Sequence, residues 1–359
     1  MAEQVFLQPT EQDFRRVLRV ENVKRIFLVC GKSFLNQKLY NKLLVSLGFE
    51  IKVFSDFEQN PKYDSIVRGL KEFKKSESNF IIAAGGGSAI DVAKCIQYYN
   101  SCDTDVFLLN QNVDGNGPAL LAIPTTAGTG SESTEFAAIY VDGIKHSVSD
   151  GAILPKYVCL DSSLLDTLPI KQRKVTMLDA LCHSIEAFWS VNSTDESKSY
   201  SRRAIKAILE NYQGYLNNDA QSNLAMLDAA NLAGRAINIA KTTACHAMSY
   251  ILTSHYGTPH GFAASIFIST VWKFINENLE RCSDARGSNY LVSTMNELEK
   301  LIPCEEFDKL LENLALDKPV LKNETVHEIA LRVNEARLKN TPVRMYKEDI
   351  EKIYLEVLN

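Results

Sequence analysis

The sequence predicts an α/β domain followed by an all-α domain, on three observations. Short apolar runs alternate with helically spaced segments through the first half. A glycine cluster directly follows one of those runs, and strand-like runs stop at about Asp161. Strand, helix and strand in that order favour a parallel sheet packed on helices. The expected division is an α/β domain over residues 1–160 and a helical domain over residues 161–359, and a chain of 359 residues suits two domains.

In chain order, Ile26 to Val29 reads as a strand ending at Cys30-Gly31-Lys32-Ser33, and Phe49 to Phe54 as a second strand. Tyr63, Ile66, Val67, Leu70 and Phe73 recur at steps of three and four, which marks one face of a helix. Phe80 to Ala84 is the next strand, Ala89 to Tyr99 the helix after it, and Ala119 to Ile123 a further strand. From Asp161 to the end the texture is helix after helix.

Composition excludes several classes. Lys plus Arg number 39 against 44 Asp plus Glu, a net charge of −5 with no dense basic cluster, so phosphate neutralisation along a nucleic acid is not expected. The 45% hydrophobic and 23% charged fractions are those of a folded globular chain. The 8 cysteines form no C-x-x-C pair, which argues against zinc-ribbon and thioredoxin-like patterns and for a reducing, cytoplasmic setting. Residues 1–16 carry acids and lack a signal-peptide pattern. Thr242 to Trp272 is free of Asp, Glu, Lys and Arg, yet its histidines, hydroxyls, Gly257 and Pro259 make it too polar for a membrane span. It reads as the lining of a buried site, and no membrane association is expected.

Gly85-Gly86-Gly87-Ser88 lies between a strand and a helix, where glycines let a backbone approach a phosphate and the helix N-terminus offers N–H donors. Ser88 and Asp91 have capping-box spacing. The G-x-G-x-x-G fingerprint is absent, because Ile90 stands where its third glycine belongs. Pro124 to Glu132, rich in Thr, Gly and Ser, follows the next strand and provides a second wall for a nucleotide. In the helical half, Asp179 and His183 are one helical turn apart and face one way. His246 and His260 are too far apart on one unbroken helix, but Gly257-Thr258-Pro259 can end one helix and start another. One carboxylate with three imidazoles suits Fe(II) or Zn(II) in preference to Mg(II) or Ca(II).

These motifs, in this order, resemble the successive signatures of the iron-containing (group III) alcohol dehydrogenases: Gly85-Gly-Gly-Ser-x-x-Asp91, Pro124 to Glu132, Asp179-Ala-Leu-x-His183, and His246 with Thr258-Pro-His-Gly261. The resemblance spans about Cys30 to Gly261 and implies a Rossmann-like α/β domain plus a helical domain. It implies metal ligation by Asp179, His183, His246 and His260, and pyrophosphate binding at Gly86 and Gly87. Further cofactor contacts are implied at Asn60, Thr125, Thr126, Thr129 and Lys145.

Two departures from that family pattern matter. Tyr250 stands where many members have a second histidine, and it is the candidate catalytic hydroxyl. Gly31, Lys32 and Ser33 replace the acidic residue that NAD-preferring relatives often carry after the first strand, which favours NADPH. The activity implied is NAD(P)H-linked reduction of an aldehyde to an alcohol, by a homodimer. The segments Ala187 to Ser197 and Thr242 to Tyr250 look similar to the phosphonoacetaldehyde reductase subgroup, with Ser190, Asn192, Ser193, Arg202 and Lys241 as candidate phosphonate contacts. A short-chain alcohol or polyol dehydrogenase of the same family, or a non-redox enzyme like dehydroquinate synthase, is the alternative. A nucleotide sensor without chemistry fits less well, because all four ligand positions are filled.

Overall fold

The computed structural model describes residues 4–321 and 325–358. The chain divides into two compact units, one of Met1–Leu168 with Asn218–Asn231, the other of Pro169–Asn217 with Leu232–Asn359. A single cut at 160/161 therefore misses the return of 218–231 to the first unit.

The first unit is built on a six-stranded parallel sheet in the order β1-β8-β5-β4-β2-β3. Its strands are β1 (Gln4–Leu7), β2 (Arg25–Cys30), β3 (Glu50–Phe54), β4 (Phe80–Gly85), β5 (Ala119–Pro124) and β8 (Tyr157–Leu160). Helices α1 (Glu11–Val20), α2 (Tyr63–Ser76) and α3 (Gly87–Tyr98) connect them. Phe27, Val29, Ile81, Ala83, Leu120 and Ala122 pack into one core, and Ile26, Leu28, Phe80, Ile82, Leu121 and Ile123 into another. Alternate residues of each strand thus feed opposite faces. Both faces are buried, so these strands read as unbroken apolar runs.

Four strands lie outside the sequence reading. β1 and β8 are four residues each, too short to show a pattern. β6 (Phe136–Val141) and β7 (Ile144–Ser149) form a separate antiparallel pair joined at Asp142-Gly143, both with positive φ. Asp-Gly is a strong two-residue hairpin signal. No strand follows Leu160 among the described residues, and positions 322–324 and 359 lie outside them.

The second half supplies α4 (Ile170–Trp189), α5 (Asp195–Leu216), α6 (Ala220–Ala240), α7 (Ala244–Tyr256), α8 (His260–Ser265), α9 (Ile268–Glu277), α10 (Ser288–Leu301), α11 (Cys304–Asn313), α12 (Val326–Ala330), α13 (Glu335–Leu338) and α14 (Lys347–Leu358). The break expected between His246 and His260 is present. Gly257 closes α7 in the left-handed region, and Thr258 N–H donates to Leu252 O. Pro259 is the N-cap of α8, one position earlier than the first helical residue. No described helix is long and apolar enough to cross a membrane.

The loop after β5 is anchored from below by a fully buried lysine. Lys94 on α3 donates to Thr134 O at 2.7 Å, Phe136 O at 2.9 Å and Thr134 Oγ1 at 3.0 Å. Burial pushes this ammonium down to about 8, against the nearby Asp91 and Glu132 carboxylates that favour its charge. Lys94→Met keeps the volume but strips the partner from a buried carboxylate and two carbonyls. Its unfolding free energy in urea is expected to fall by about 3 kcal/mol; an unchanged midpoint and slope would show that Lys94 does not hold this loop.

Candidate metal and cofactor sites

In the first unit, the segments expected to hold a cofactor share one rim. Gly31, Lys32 and Ser33 follow the carboxyl end of β2, Gly85 to Ser88 that of β4, and Thr125, Thr126 and Thr129 that of β5; the three strands are neighbours. Carboxyl ends of parallel strands, where strand order reverses, are where open α/β sheets take ligands. Lys32 and Ser33 are exposed in a short helical turn, Lys32–Asn36, and β3 and β4 flank β2 on either side.

The glycine turn fits a phosphate for steric reasons. A Cβ on Gly85 would lie 2.7 Å from Ala89 Cβ, and one on Gly87 would lie 3.1 Å from Thr129 Cγ2 and Oγ1. Gly86 is the N-cap of α3 and has no side chain to occupy the first-turn N–H groups. Those donors and the helix dipole suit a pyrophosphate.

The capping box expected at Ser88 and Asp91 does not form. The helix begins two residues earlier, at Gly87, which leaves both side chains for other partners. Ser88 Oγ accepts the Asn60 N–H at 3.3 Å, which draws the Asn60-Pro61 loop to the glycine turn. Asp91 accepts Ser131 Oγ–H at 2.6 Å and Ala138 N–H at 3.0 Å. One oxygen thus holds the loop that follows β5 and the other the edge of β6, and a cofactor contact is not where this carboxylate is aimed. Lys145, on β7 opposite Tyr140, contributes positive charge near Asp91.

The second unit gathers the expected metal ligands. One ligand atom from each of Asp179, His246 and His260 lies within 4.8 Å of the others. His183 Nε2 is 3.8 Å from Asp179 Oδ1, and its ring stacks on His246 at 4.6 Å between centroids. His246 and His260 meet edge-on at 5.2 Å. Asp179 and His246 are 3% and 1% exposed. Asp179 Oδ1 and His246 Nε2 are 3.5 Å apart, and neither makes a hydrogen bond among the described residues.

Two devices create this convergence. Gly261 lets α8 meet α4 backbone to backbone: a Cβ there would fall 2.7 Å from Asp179 Cβ, 2.8 Å from Asp179 N and closer still to Val175 O. The second is Glu186, which sequence reasoning missed. Fully buried, it accepts Thr243 N–H at 2.9 Å, Thr243 Oγ–H at 2.6 Å and His246 N–H at 3.3 Å, capping the start of α7. Its other oxygen contacts His246 Nδ1. The carboxylate holds Nδ1 on its own side and so turns Nε2 toward Asp179. Trp189 Nε1–H donates to Thr243 Oγ1 at 2.9 Å, extending the chain outward. The available signal was spacing, since Asp179, His183 and Glu186 fall at i, i+4 and i+7 on one helix face.

Electrostatics agree with a cation-seeking site. Burial opposes the ionised form of Asp179, yet His183, His246 and His260 hold its carboxyl well below the usual carboxylate range. Burial likewise opposes charge on His246, and the Glu186 and Asp179 carboxylates push the ring's pKa up to about 10. An orphaned buried carboxylate oxygen, an orphaned imidazole nitrogen and two further imidazoles fit a divalent metal of the Fe(II) or Zn(II) type.

Tyr250 reaches the edge of this cluster. Its ring stacks on His260 at 5.6 Å and 13°, and Arg337 Nη1 donates to its hydroxyl oxygen at 2.6 Å. The candidate phosphonate contacts are engaged elsewhere. Arg202 pairs with Glu297 at 2.5 Å, Lys241 donates to Asn238 O and Ser190 to Ala240 O. Asn192 donates to Asn340, and Ser193 Oγ accepts from Arg286.

A family model described as iron-containing alcohol dehydrogenase matches residues 4–162, and one for the C-terminal domain of that family matches residues 174–358. The chain belongs to the iron-containing alcohol dehydrogenase family. It is 29% identical over 353 residues to the NADPH-dependent butanol dehydrogenase of Clostridium saccharobutylicum, covering 92% of this chain and 90% of that one. It is 31% identical over 253 residues to the phosphonoacetaldehyde reductase of Streptomyces viridochromogenes, covering 66% and 63%. Some curated relatives are longer, and this chain spans 33% of one of them. The solved iron-containing alcohol dehydrogenase of Thermotoga maritima superposes with a TM-score of 0.85 at 25% identity, over 100% of this chain and 98% of that one.

Glu186→Gln keeps shape and hydrogen-bond capacity but weakens the hold on the Nδ1 proton. Bound iron and zinc, measured by mass spectrometry after dialysis against graded chelator, should show 10- to 100-fold weaker retention, on the order seen when such outer partners are removed. Retention equal to the unaltered protein would mean that Glu186 does not set the His246 lone pair.

Proposed function

We propose that this protein is a metal-dependent, NADPH-linked aldehyde reductase of the iron-containing alcohol dehydrogenase family, with phosphonoacetaldehyde as the substrate to test first and 2-hydroxyethylphosphonate as its product. The carrying observation is the buried pair of unsatisfied ligand atoms, Asp179 Oδ1 and His246 Nε2, set among His183 and His260. The family membership and the similarity to a phosphonoacetaldehyde reductase support the reading. So does a relative named for NADPH, together with the exposed cation Lys32 at the end of β2. All 8 cysteines are free, in keeping with a cytoplasmic enzyme.

In this reading Asp179, His183, His246 and His260 hold the metal. Gly86, Gly87 and the α3 N-terminus hold the pyrophosphate, with Gly85, Ser88, Asn60, Thr125, Thr126, Thr129 and Lys145 around it. When bound, the metal supplies Lewis-acid polarisation of the aldehyde oxygen and the nicotinamide supplies the hydride. The chain's own part is positional. Glu186 keeps one proton on His246 Nδ1, and the buried walls around Asp179 exclude water from its carboxylate. Arg337 donates to the Tyr250 oxygen and so positions that hydroxyl, the candidate proton donor to the product oxygen, beside His260.

The test is metal analysis of the purified protein with NADPH and NADH oxidation over phosphonoacetaldehyde and propanal. Bound iron or zinc and turnover with NADPH are expected, and no turnover of any aldehyde by metal-replete protein would remove the reductase reading. Lys32→Ala should lower the NADPH-to-NADH ratio of kcat/KM by about 10-fold or more, the worth of one charge-assisted contact. An unchanged ratio would take Lys32 out of cofactor choice.

A further inference from the structure

Arg337 has no role in the sequence reading and pairs with no carboxylate among the described residues. Two other half-buried arginines show the contrast: Arg202 pairs with Glu297 and Arg281 with Asp349. Arg337 makes one side-chain hydrogen bond among the described residues, to Tyr250 Oη, and its guanidinium lies over the Tyr250 ring at 4.8 Å. Tyr250 in turn lies flat against His260. A stack of guanidinium, phenol and imidazole therefore runs from α13 to the metal-binding cluster. A partly buried cation without a carboxylate is costly to keep, and a guanidinium presents more donors than a single phenol oxygen can use.

We infer that Arg337 is a specificity-determining residue that binds an oxyanion on the substrate's far end, so that the preferred aldehyde carries a phosphonate, sulfonate or carboxylate a short chain away from the carbonyl. The inference rests on the aldehyde-reductase reading above and supplies the cation that the engaged Arg202 and Lys241 do not. Tyr250 is the spacer: its hydroxyl fixes one Nη and its ring supports the guanidinium plane, leaving the remaining N–H donors for a forked contact with two oxygens.

The experiment compares kcat/KM for phosphonoacetaldehyde, succinic semialdehyde and propanal in the metal-replete holoenzyme, and calorimetric binding of 2-hydroxyethylphosphonate, for the unaltered protein and for Arg337→Ala, Arg337→Lys and Tyr250→Phe. The unaltered protein should prefer at least one anionic aldehyde over propanal. Arg337→Ala should lower that anionic-to-neutral ratio by about 100-fold and weaken 2-hydroxyethylphosphonate binding in step. Arg337→Lys should recover part of both, and Tyr250→Phe should retain most of the preference. Comparable efficiency on propanal and both anionic aldehydes in the unaltered protein would overturn the inference while leaving the reductase reading intact. Equal losses on all aldehydes in Arg337→Ala, matched by Tyr250→Phe, would show that Arg337 only braces Tyr250. A raised KM for NADPH with an unchanged aldehyde ratio would assign the cation to the cofactor and overturn the inference equally.

Discussion

Placing an ionised carboxylate inside a helical unit is the constraint on which the rest of this structure depends. Asp179 is almost wholly shielded from water on α4, a position that an isolated charge cannot hold. The chain answers by aiming three imidazoles at it, His183 from α4 itself, His246 from the first turn of α7 and His260 from the start of α8. Those imidazoles reach it because Gly257 ends one helix and Gly261 removes the side chain that would keep the next away. Glu186 then settles which nitrogen of His246 faces inward. Charge burial, helix termination and backbone approach are thus one arrangement.

The first unit solves a related problem with other groups. Half-buried Asp91 and fully buried Lys94 are one turn apart on α3, and their bonds run to the loop after β5 and to the β6 edge. Asn231 donates to Glu132 and Ser133 of the same loop. Fixing that loop sets the threonines Thr126 and Thr129 against Gly86 and Gly87. A turn with no side chains of its own is thereby given shape by its neighbours.

Much of this was legible in the sequence, for identifiable reasons. β2, β4 and β5 are buried on both faces and read as apolar runs, and α2 has one apolar stripe; both patterns survive without knowledge of partners. The histidine spacing and the Gly-Thr-Pro break marked the residues that gather around Asp179. What was missed depends on contacts distant in sequence. Ser88 and Asp91 have the spacing of a local cap, but Asn60, Ser131 and Ala138 compete for them. Glu186 looks like an ordinary helical glutamate until α7 is placed on it. Arg337 lies 87 residues from the tyrosine it stacks on, and nothing local marks it. Arg202 is drawn to Glu297, a partner distant in sequence, and Lys241 to the Asn238 carbonyl one turn back.

The hydrogen-bond chain from Trp189 through Thr243 and Glu186 to His246 has an optical consequence. The chain contains only 2 tryptophans, and the other, Trp272, sits edge-on to Trp189 at 5.6 Å. Trp189 is therefore joined through Thr243 and Glu186 to the imidazole that faces Asp179, with Trp272 against its ring, so indole emission is expected to respond to occupancy at that centre, readable without any added dye.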